Sequence, residues 1–316
     1  MRNRKAFITG ISSTFLKKNE YIFLKKNKPW GVILFSRNIK NYNQAKKLID
    51  SIKSCFHDKK YPILIDEEGG RISRLKNIID TREFSAKSFG KLYTKNKKSF
   101  FFHYKIYVDT ICQLLNTLGI NINTVPVLDI VRGKKNKVIG DRSYSNKADI
   151  VSKIGDYCIK LYSKNKIGTV IKHIPGHGLA VQDSHFRTPL VNEKKNILSK
   201  ADFSAFKNKK SLFAMTAHVV YFKYDSFNTA THSRKIINEI IRKKLKFKNL
   251  IISDDISMKA LKYGLKENIA KSLDAGCNLI LHCNGNINEM KIVANNVPKI
   301  DNFIVKKTSQ FYNFLI

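Results

Sequence analysis

Apolar residues gather in eight short runs along the chain: Ala6–Ile11, Gly31–Phe35, Pro62–Ile65, Ile122–Leu128, Gly168–Ile171, Ser211–Thr216, Asn249–Ile252 and Cys277–Leu281. Each is apolar at successive rather than alternate positions, the mark of a strand covered on both faces. Between most of them the spacing changes to three and four. In Tyr42–Phe56 the apolar positions are Ala45, Leu48, Ile49, Ile52 and Phe56, and Phe100–Leu118, Ile150–Tyr162 and Ser233–Leu245 have similar helical spacing. Strand and helix alternate.

Parallel strands covered by helices make an α/β protein, and eight of them in 316 residues predict a single TIM-like (β/α)8 barrel rather than an open sheet. No Pro/Gly/Ser-rich linker divides the chain, so residues 1–316 are expected to form one domain. The longest interval, Asp66 to Ile122, is expected to hold extra loops and helix.

Composition supports a folded core, since 43% of residues are hydrophobic and only 6 Pro and 15 Gly interrupt the chain. The charge is unusual: 59 basic residues against 24 acidic give +35, which invites a nucleic-acid or anionic-membrane reading. The identity of the cations weakens it. Lys accounts for 48 of them and Arg for 11, whereas phosphate and base recognition favours the bidentate Arg. With 29 Asn as well, the bias is what an AT-rich genome writes into tolerant surfaces. A nucleic-acid partner is therefore not expected.

The basic start Met1–Lys5 is followed by a stretch broken by Thr9, Ser12, Ser13 and Thr14, which makes a poor signal peptide. Nowhere do about eighteen apolar residues run consecutively, so no membrane span is expected. Cys55, Cys112, Cys158, Cys277 and Cys283 are scattered without a CxxC pair, as free thiols of a reducing compartment would be. A cytoplasmic monomer is expected.

In such a barrel the chemistry sits where strands end. Run three ends in Asp66-Glu67-Glu68-Gly69-Gly70-Arg71, run four in Asp129, run five in Lys172-His173, run six in His218, run seven in Asp254-Asp255 and run eight in His282. Surface drift scatters charge anywhere, whereas these groups recur at one end of the strands. That placement points to an enzyme.

Each group also has a plainer reading. His173, His177, Asp183 and His185 lie within thirteen residues, but there is no HExxH, the Pro175-Gly176-His177-Gly178 turn forbids a helical ligand pair, and Lys172 repels a cation. Neither metal nor cofactor is expected. In an extended loop Asp183 and His185 point the same way, so the carboxylate can orient the imidazole as an acid/base dyad; the alternative is a surface Asp and His sharing a loop. Asp254 is assigned chemistry and Asp255 capping or support. Asp66 and Arg74 straddle a Gly69-Gly70 turn suited to a polar ligand, or form an ordinary salt bridge, and Arg142 in Gly140–Tyr144 has the same two readings.

Taken together, Asp66–Arg71, Gly140–Tyr144, Lys172–Gly178 with Asp183-Ser184-His185, and Ser253–Met258 resemble the NagZ-type β-N-acetylhexosaminidases of glycoside hydrolase family 3. Pro126–Asp129, Ala217–Val219 and Asp274–Cys277 add to the resemblance, which covers nearly the whole chain. It implies a TIM-like barrel that removes terminal β-linked N-acetylglucosamine with retention through a covalent glycosyl-enzyme. It implies Asp254 as nucleophile, His185 as acid/base and Asp183 as its partner, with Asp66, Arg74, Arg142, Lys172 and His173 binding the sugar. The implied substrate is a muropeptide-derived N-acetylglucosamine–anhydro-N-acetylmuramic acid, with or without peptide.

The chemistry agrees, because an imidazole with an ordinary pKa near 6.5 can give and then take a proton near neutrality. A neutral ring also spares the nucleophile the repulsion of a second carboxylate. Two departures stand out: Phe7–Gly10 lacks the Asp usual in relatives, and the chain ends soon after run eight, so an abbreviated last helix is expected and no second sandwich domain. A phosphorylase of the same fold remains an alternative, since a His acid/base leaves room for anionic phosphate. From a different class, so does a decayed basic barrel that binds nucleic acid.

Overall fold

The computed structural model describes residues 1–132, 138–180 and 188–316. Its strands are β1 (Lys5–Gly10), β2 (Pro29–Leu34), β3 (Ile63–Ile65), β4 (Ile122–Asn123), β5 (Gly168–Ile174), β6 (Leu190–Val191), β7 (Phe213–Thr216), β8 (Val220–Tyr221), β9 (Leu250–Asp255) and β10 (Leu279–His282). Eight of these close into a parallel barrel in the order β1-β2-β3-β4-β5-β7-β9-β10, while β6 and β8 pair separately. The helices are α1 (Lys18–Asn27), α2 (Tyr42–Ser54), α3 (Ala86–Lys95), α4 (Lys97–Leu118), α5 (Ala148–Lys164), α6 (Lys195–Lys200), α7 (Leu265–Ala275), α8 (Ile287–Asn296) and α9 (Asn302–Phe314).

All eight apolar runs supply barrel strands, and the long third interval holds α3 and α4. The differences have local causes. Run four was expected to extend to Leu128, but β4 stops at Asn123; Pro126 has no N–H to donate, and beyond it only the Val127–Lys172 bridge pairs. β5 and β9 run further than their apolar stretches, taking Lys172, His173 and Ser253–Asp255 into the strands. The expected helix Ser233–Leu245 appears at Ile236–Lys244 with π-type bonding, presenting Ile236, Ile237, Ile240 and Ile241 to the core. Asp255 caps no helix, since α7 begins only at Leu265. The last helix is not abbreviated either: α8 and α9 both follow β10.

Alternation along each strand divides the core in two. Ile8, Ile33, Leu64, Ile122, Val170, Phe213, Met215, Leu250, Ile252, Leu279 and Leu281 fill the barrel interior. Their neighbours Phe7, Val32, Leu34, Ile63, Ile65, Ile171, Ala214, Ile251 and Ile280 pack outward against the helices. Both faces are thus apolar and buried, which is why the runs show no alternation in hydrophobicity. α9 closes the lower end of the barrel: Phe311 meets Phe213 edge-on at 5.4 Å, and the Trp30 Nε1–H donates to Thr308 Oγ1 at 2.8 Å. Phe311 is fully buried.

Phe311→Ala is therefore expected to cost about 3–5 kcal/mol of unfolding free energy, as large aromatic truncations in cores do. Urea denaturation followed by tryptophan fluorescence would check it; a loss below about 1 kcal/mol would mean that α9 does not close the core.

Candidate active site

The inward parity that fills the barrel continues past its apolar layers. Two residues beyond Leu64 is Asp66, beyond Ile122 is Thr124, beyond Val170 is Lys172, beyond Ile252 is Asp254, and beyond Leu281 is Cys283. At the strand ends Asp66, Lys172, Asp254 and Cys283 border a cavity of about 320 Å³ that is also lined by Glu68, Arg74, Arg142, His173, His177 and the apolar Ile72, Met215, Met258 and Leu281. Pockets of this size hold small molecules.

One wall is a buried charge cluster. The Lys172 ammonium, 3% exposed, reaches Glu68 Oε1 at 2.6 Å and Asp66 Oδ1 at 3.0 Å, and donates to Thr124 Oγ1 at 2.8 Å. Arg142 forks onto both oxygens of Glu68 at 2.8 Å, while Arg74 meets Asp66 Oδ2 at 3.5 Å and lies over the Phe35 ring. Burial pushes the Asp66 and Glu68 carboxyls up, but Lys172 with Arg74 and Arg142 with Lys172 more than offset it. Asp66 ends far below the usual range and Glu68 at about 2. Both are ionised and paired.

Backbone architecture holds these cations in place. Glu67, fully buried and pointing away from the cavity lining, accepts from Arg74 N at 2.7 Å, Leu75 N at 2.9 Å, Thr81 Oγ1 at 3.0 Å and Ser73 Oγ at 3.2 Å. The turn before them uses Gly69 at φ 79° and Gly70 at φ 60°, and at Gly69 a Cβ would collide with Phe84 O. Asp129, at the end of the run after β4, accepts from His173 N at 3.1 Å and His177 N at 2.6 Å, and its Oδ2 meets His173 Nδ1 at 2.6 Å. Burial raises this carboxyl, but His173 and His177 outweigh burial and hold it low. Asp129 thus sets the direction of the His173 ring.

Asp254 faces this wall in a different state. It has no ion pair among the described residues; its Oδ1 accepts only the Asp255 N–H at 2.8 Å. Burial raises its pKa, yet the nearby His218 and His173, the Asp255 N–H and Lys172 overcome burial and keep it below the ordinary carboxylate value. The His218 ring is held from both sides: its Nε2 donates to Asp255 O at 3.0 Å and its Nδ1 lies 2.7 Å from Thr231 Oγ1, while burial pushes its pKa down. Asp255 braces the strand end, accepting from Ser257 N and Cys283 N, each at 3.2 Å.

Of the residues singled out in the sequence, Asp66, Arg74, Arg142, Lys172, His173 and Asp254 meet at one cavity. Asp183 and His185 lie outside the described residues. Sequence reasoning places Glu68 only within the Asp66–Arg71 segment, and Asp129 and His218 only as polar strand ends. The signal that distinguishes Glu68 from Glu67 is not periodic, because both follow β3 in the same turn. Of the 48 Lys, only Lys172 and Lys209 are buried among the described residues, so the positive charge is not gathered into the site. No helix among the described residues is long and apolar enough to cross a membrane.

Removing the shared cation should expose what it holds. Lys172→Met is expected to cost about 3–5 kcal/mol near neutral pH, the usual loss when a buried pair is broken. Because Asp66 and Glu68 are depressed in the folded state, their contribution is present above the unfolded carboxyl pKa near 4 and is lost as pH falls toward about 2. The difference between variant and wild type in urea midpoint should therefore shrink with acidification; a pH-independent difference would assign the loss to packing.

Residues 11–307 match the model of the glycosyl hydrolase family 3 N terminal domain. The chain is 33% identical to the β-hexosaminidase of Haemophilus ducreyi over 284 residues, which cover 88% of this chain and 80% of that protein. It is 28% identical to the β-hexosaminidase of Xanthomonas campestris pv. campestris over 281 residues, covering 87% and 83%. The structure of NagZ from Neisseria gonorrhoeae in complex with N-trifluoroacetyl-D-glucosamine aligns with a TM-score of 0.87 at 28% identity, covering 99% of this chain and 90% of that one. A closed parallel barrel, a polar cavity at its strand ends and these matches lead to one assignment: the chain is a glycoside hydrolase and belongs to glycosyl hydrolase family 3.

Proposed function

We propose that the protein is a retaining exo-β-N-acetylglucosaminidase acting on peptidoglycan turnover products, N-acetylglucosamine linked to anhydro-N-acetylmuramic acid with or without peptide. The observation that carries this reading is the contrast among the described cavity carboxylates: Asp66 and Glu68 are each held by two cations, whereas Asp254 is ionised and unpaired. A nucleophile needs that combination, and sugar-binding carboxylates need the other. The names of the matched relatives, β-hexosaminidases and a NagZ seen with an N-acylated glucosamine, support the amino-sugar substrate.

In the proposed reaction Asp254 attacks the anomeric carbon and forms a C–O bond as the glycosidic bond breaks. His185, oriented by Asp183, gives its proton to the leaving oxygen. His185 then takes a proton from water, which displaces Asp254 and restores the configuration. Asp66 accepts sugar hydroxyl protons, while Arg74, Arg142, Lys172 and His173 donate to sugar oxygens. Ile72, Met215, Met258 and Leu281 supply the apolar wall against which the N-acetyl methyl and ring faces can pack. The chain 1–316 works as one barrel domain and as a cytoplasmic monomer, with no membrane or nucleic-acid partner.

The test is release of 4-nitrophenol from its N-acetyl-β-D-glucosaminide in phosphate-free buffer with EDTA. Wild type should turn over and Asp254→Ala should be silent while folded; wild-type rates in the variant would remove Asp254 as nucleophile. His185→Ala should lose about 10²–10⁴-fold on natural leaving groups and far less on activated aryl ones. Equal losses would deny it the acid/base role. Since Asp254 is held below its ordinary value, the acid limb of kcat/KM should lie below about pH 4, with activity lost as pH falls through it. Sugar 1-phosphate formed on adding phosphate would replace hydrolysis by phosphorolysis.

A further inference from the structure

Two buried carboxylates flank the turn that follows β5, and only one of them is used above. Asp129 on one side is fully hydrogen-bonded to that turn. On the other side is Asp202, in the segment after α6 and 2% exposed. Among the described residues neither of its oxygens accepts a hydrogen bond from another residue, and the cation paired with it is Arg132, whose Nε lies 3.9 Å from Oδ2. A buried carboxyl left in this state is costly, so its retention asks for a reason.

Its position supplies one. Asp202 is packed directly beneath Gly176: a Cβ on that glycine would stand 3.0 Å from the Asp202 Cβ. The Gly176 carbonyl also accepts the Tyr221 hydroxyl from β8. Two residues on, Gly178 lies so close to the segment after β4 that a Cβ would overlap Ile130 O. Arg132 belongs to that same segment. The pair Arg132–Asp202 therefore spans the outer side of a turn whose inner side is pinned by Asp129.

We propose that Asp202 is a positioning residue: with Arg132 it clamps the His173–Ala180 turn against the segment after β4, and the clamp closes when the Asp202 carboxyl ionises. This rests on the proposed glycosidase reading, because the turn bears His173 and leads in sequence to Asp183 and His185. Among the described residues the charged and titratable groups around Asp202 include Arg132 and Asp129 from the β4 side, Glu193 after β6 and Tyr221 of β8. Burial pushes the carboxyl up to about 7; Arg132 opposes this, and Asp129 and Glu193 reinforce it. Below that value the group is neutral and Arg132 is released. Above it, the ion pair forms at the expense of an ionised buried carboxylate.

The sign of the stability effect follows. The folded state holds the proton more tightly than the unfolded chain, so wild type loses stability as pH rises from about 4 to about 7. Asp202→Asn lacks that loss and should melt several degrees above wild type near pH 8, with the gap roughly halved near pH 5.5 and closing toward about pH 4. The clamp predicts the opposite sign for the site. At about pH 8 the amides of Gly176, His177 and Ala180 should exchange hydrogen about tenfold faster in Asp202→Asn, and kcat should fall severalfold with KM little changed.

Arg132→Gln, an altered surface side chain, should reproduce the faster exchange and carry the stability loss to higher pH. Activity is read on 4-nitrophenyl N-acetyl-β-D-glucosaminide. An Asp202→Asn protein that is less stable than wild type near pH 8, or whose three amides exchange no faster, would overturn the proposal, as would unchanged kcat in an active enzyme. A wild type silent on the glycosaminide would overturn the functional reading instead, and exchange and melting would still decide the clamp.

Discussion

The ammonium of Lys172 is the constraint on which the site is built. It is almost wholly buried, and a lone cation there would be very costly, so two carboxylates must accompany it. Two carboxylates in turn need more positive charge than one lysine supplies, and Arg74 and Arg142 provide it. The cluster then holds three cations to two anions. The remaining positive charge is balanced by Asp254 across the cavity, which Lys172 helps to keep ionised. The reacting group and its binding wall are thus one electrostatic unit, and neutralising any member disturbs the protonation of the others.

A barrel is well suited to assembling such a unit. Because side chains alternate along a strand, the interior parity fixed by Leu64, Val170 and Ile252 places Asp66, Lys172 and Asp254 in the same tier without a further device. The apolar tiers below exclude water from their stems, and the helices outside hold the strands in register. Polar residues at the same parity lower in the barrel would be buried without partners. Only in the last tier can the loops deliver Glu68 and Arg142 to satisfy them.

That parity made much of the site legible in the sequence. The eight runs, their order and the polar groups at their ends follow from hydrophobic spacing alone, and the motif resemblance assigned roles that spacing could not. What spacing missed depends on tertiary pairing. Glu67 and Glu68 are adjacent and alike, yet one organises a turn from behind and the other meets Arg142 from a segment seventy-four residues away. Asp129 and Asp202 are likewise both buried acids beside the same turn, and only their hydrogen bonds tell them apart. The early end of β4 was legible in Pro126 itself, a residue without an N–H inside an apolar run.

The balance of cations carries a last piece of physical information. In a chain with 48 Lys and only 11 Arg, charge alone is supplied by lysine on the exposed faces. Yet Arg37, Arg71, Arg74, Arg132 and Arg142 all lie on segments following barrel strands, and Arg74 and Arg142 line the cavity. Their contacts need what lysine lacks. Arg142 forks onto a carboxylate, Arg71 reaches Asp141 and the Val138 carbonyl at once, Arg37 bridges the Ile11 and Cys283 carbonyls, and Arg74 stacks on Phe35 while pairing with Asp66. A planar guanidinium joins two loops with a single group, whereas an ammonium is a point charge on a flexible stem. Lys172 is the informative exception: its cation serves two carboxylates and a hydroxyl converging from different directions, a task for three tetrahedrally disposed protons rather than a flat fork.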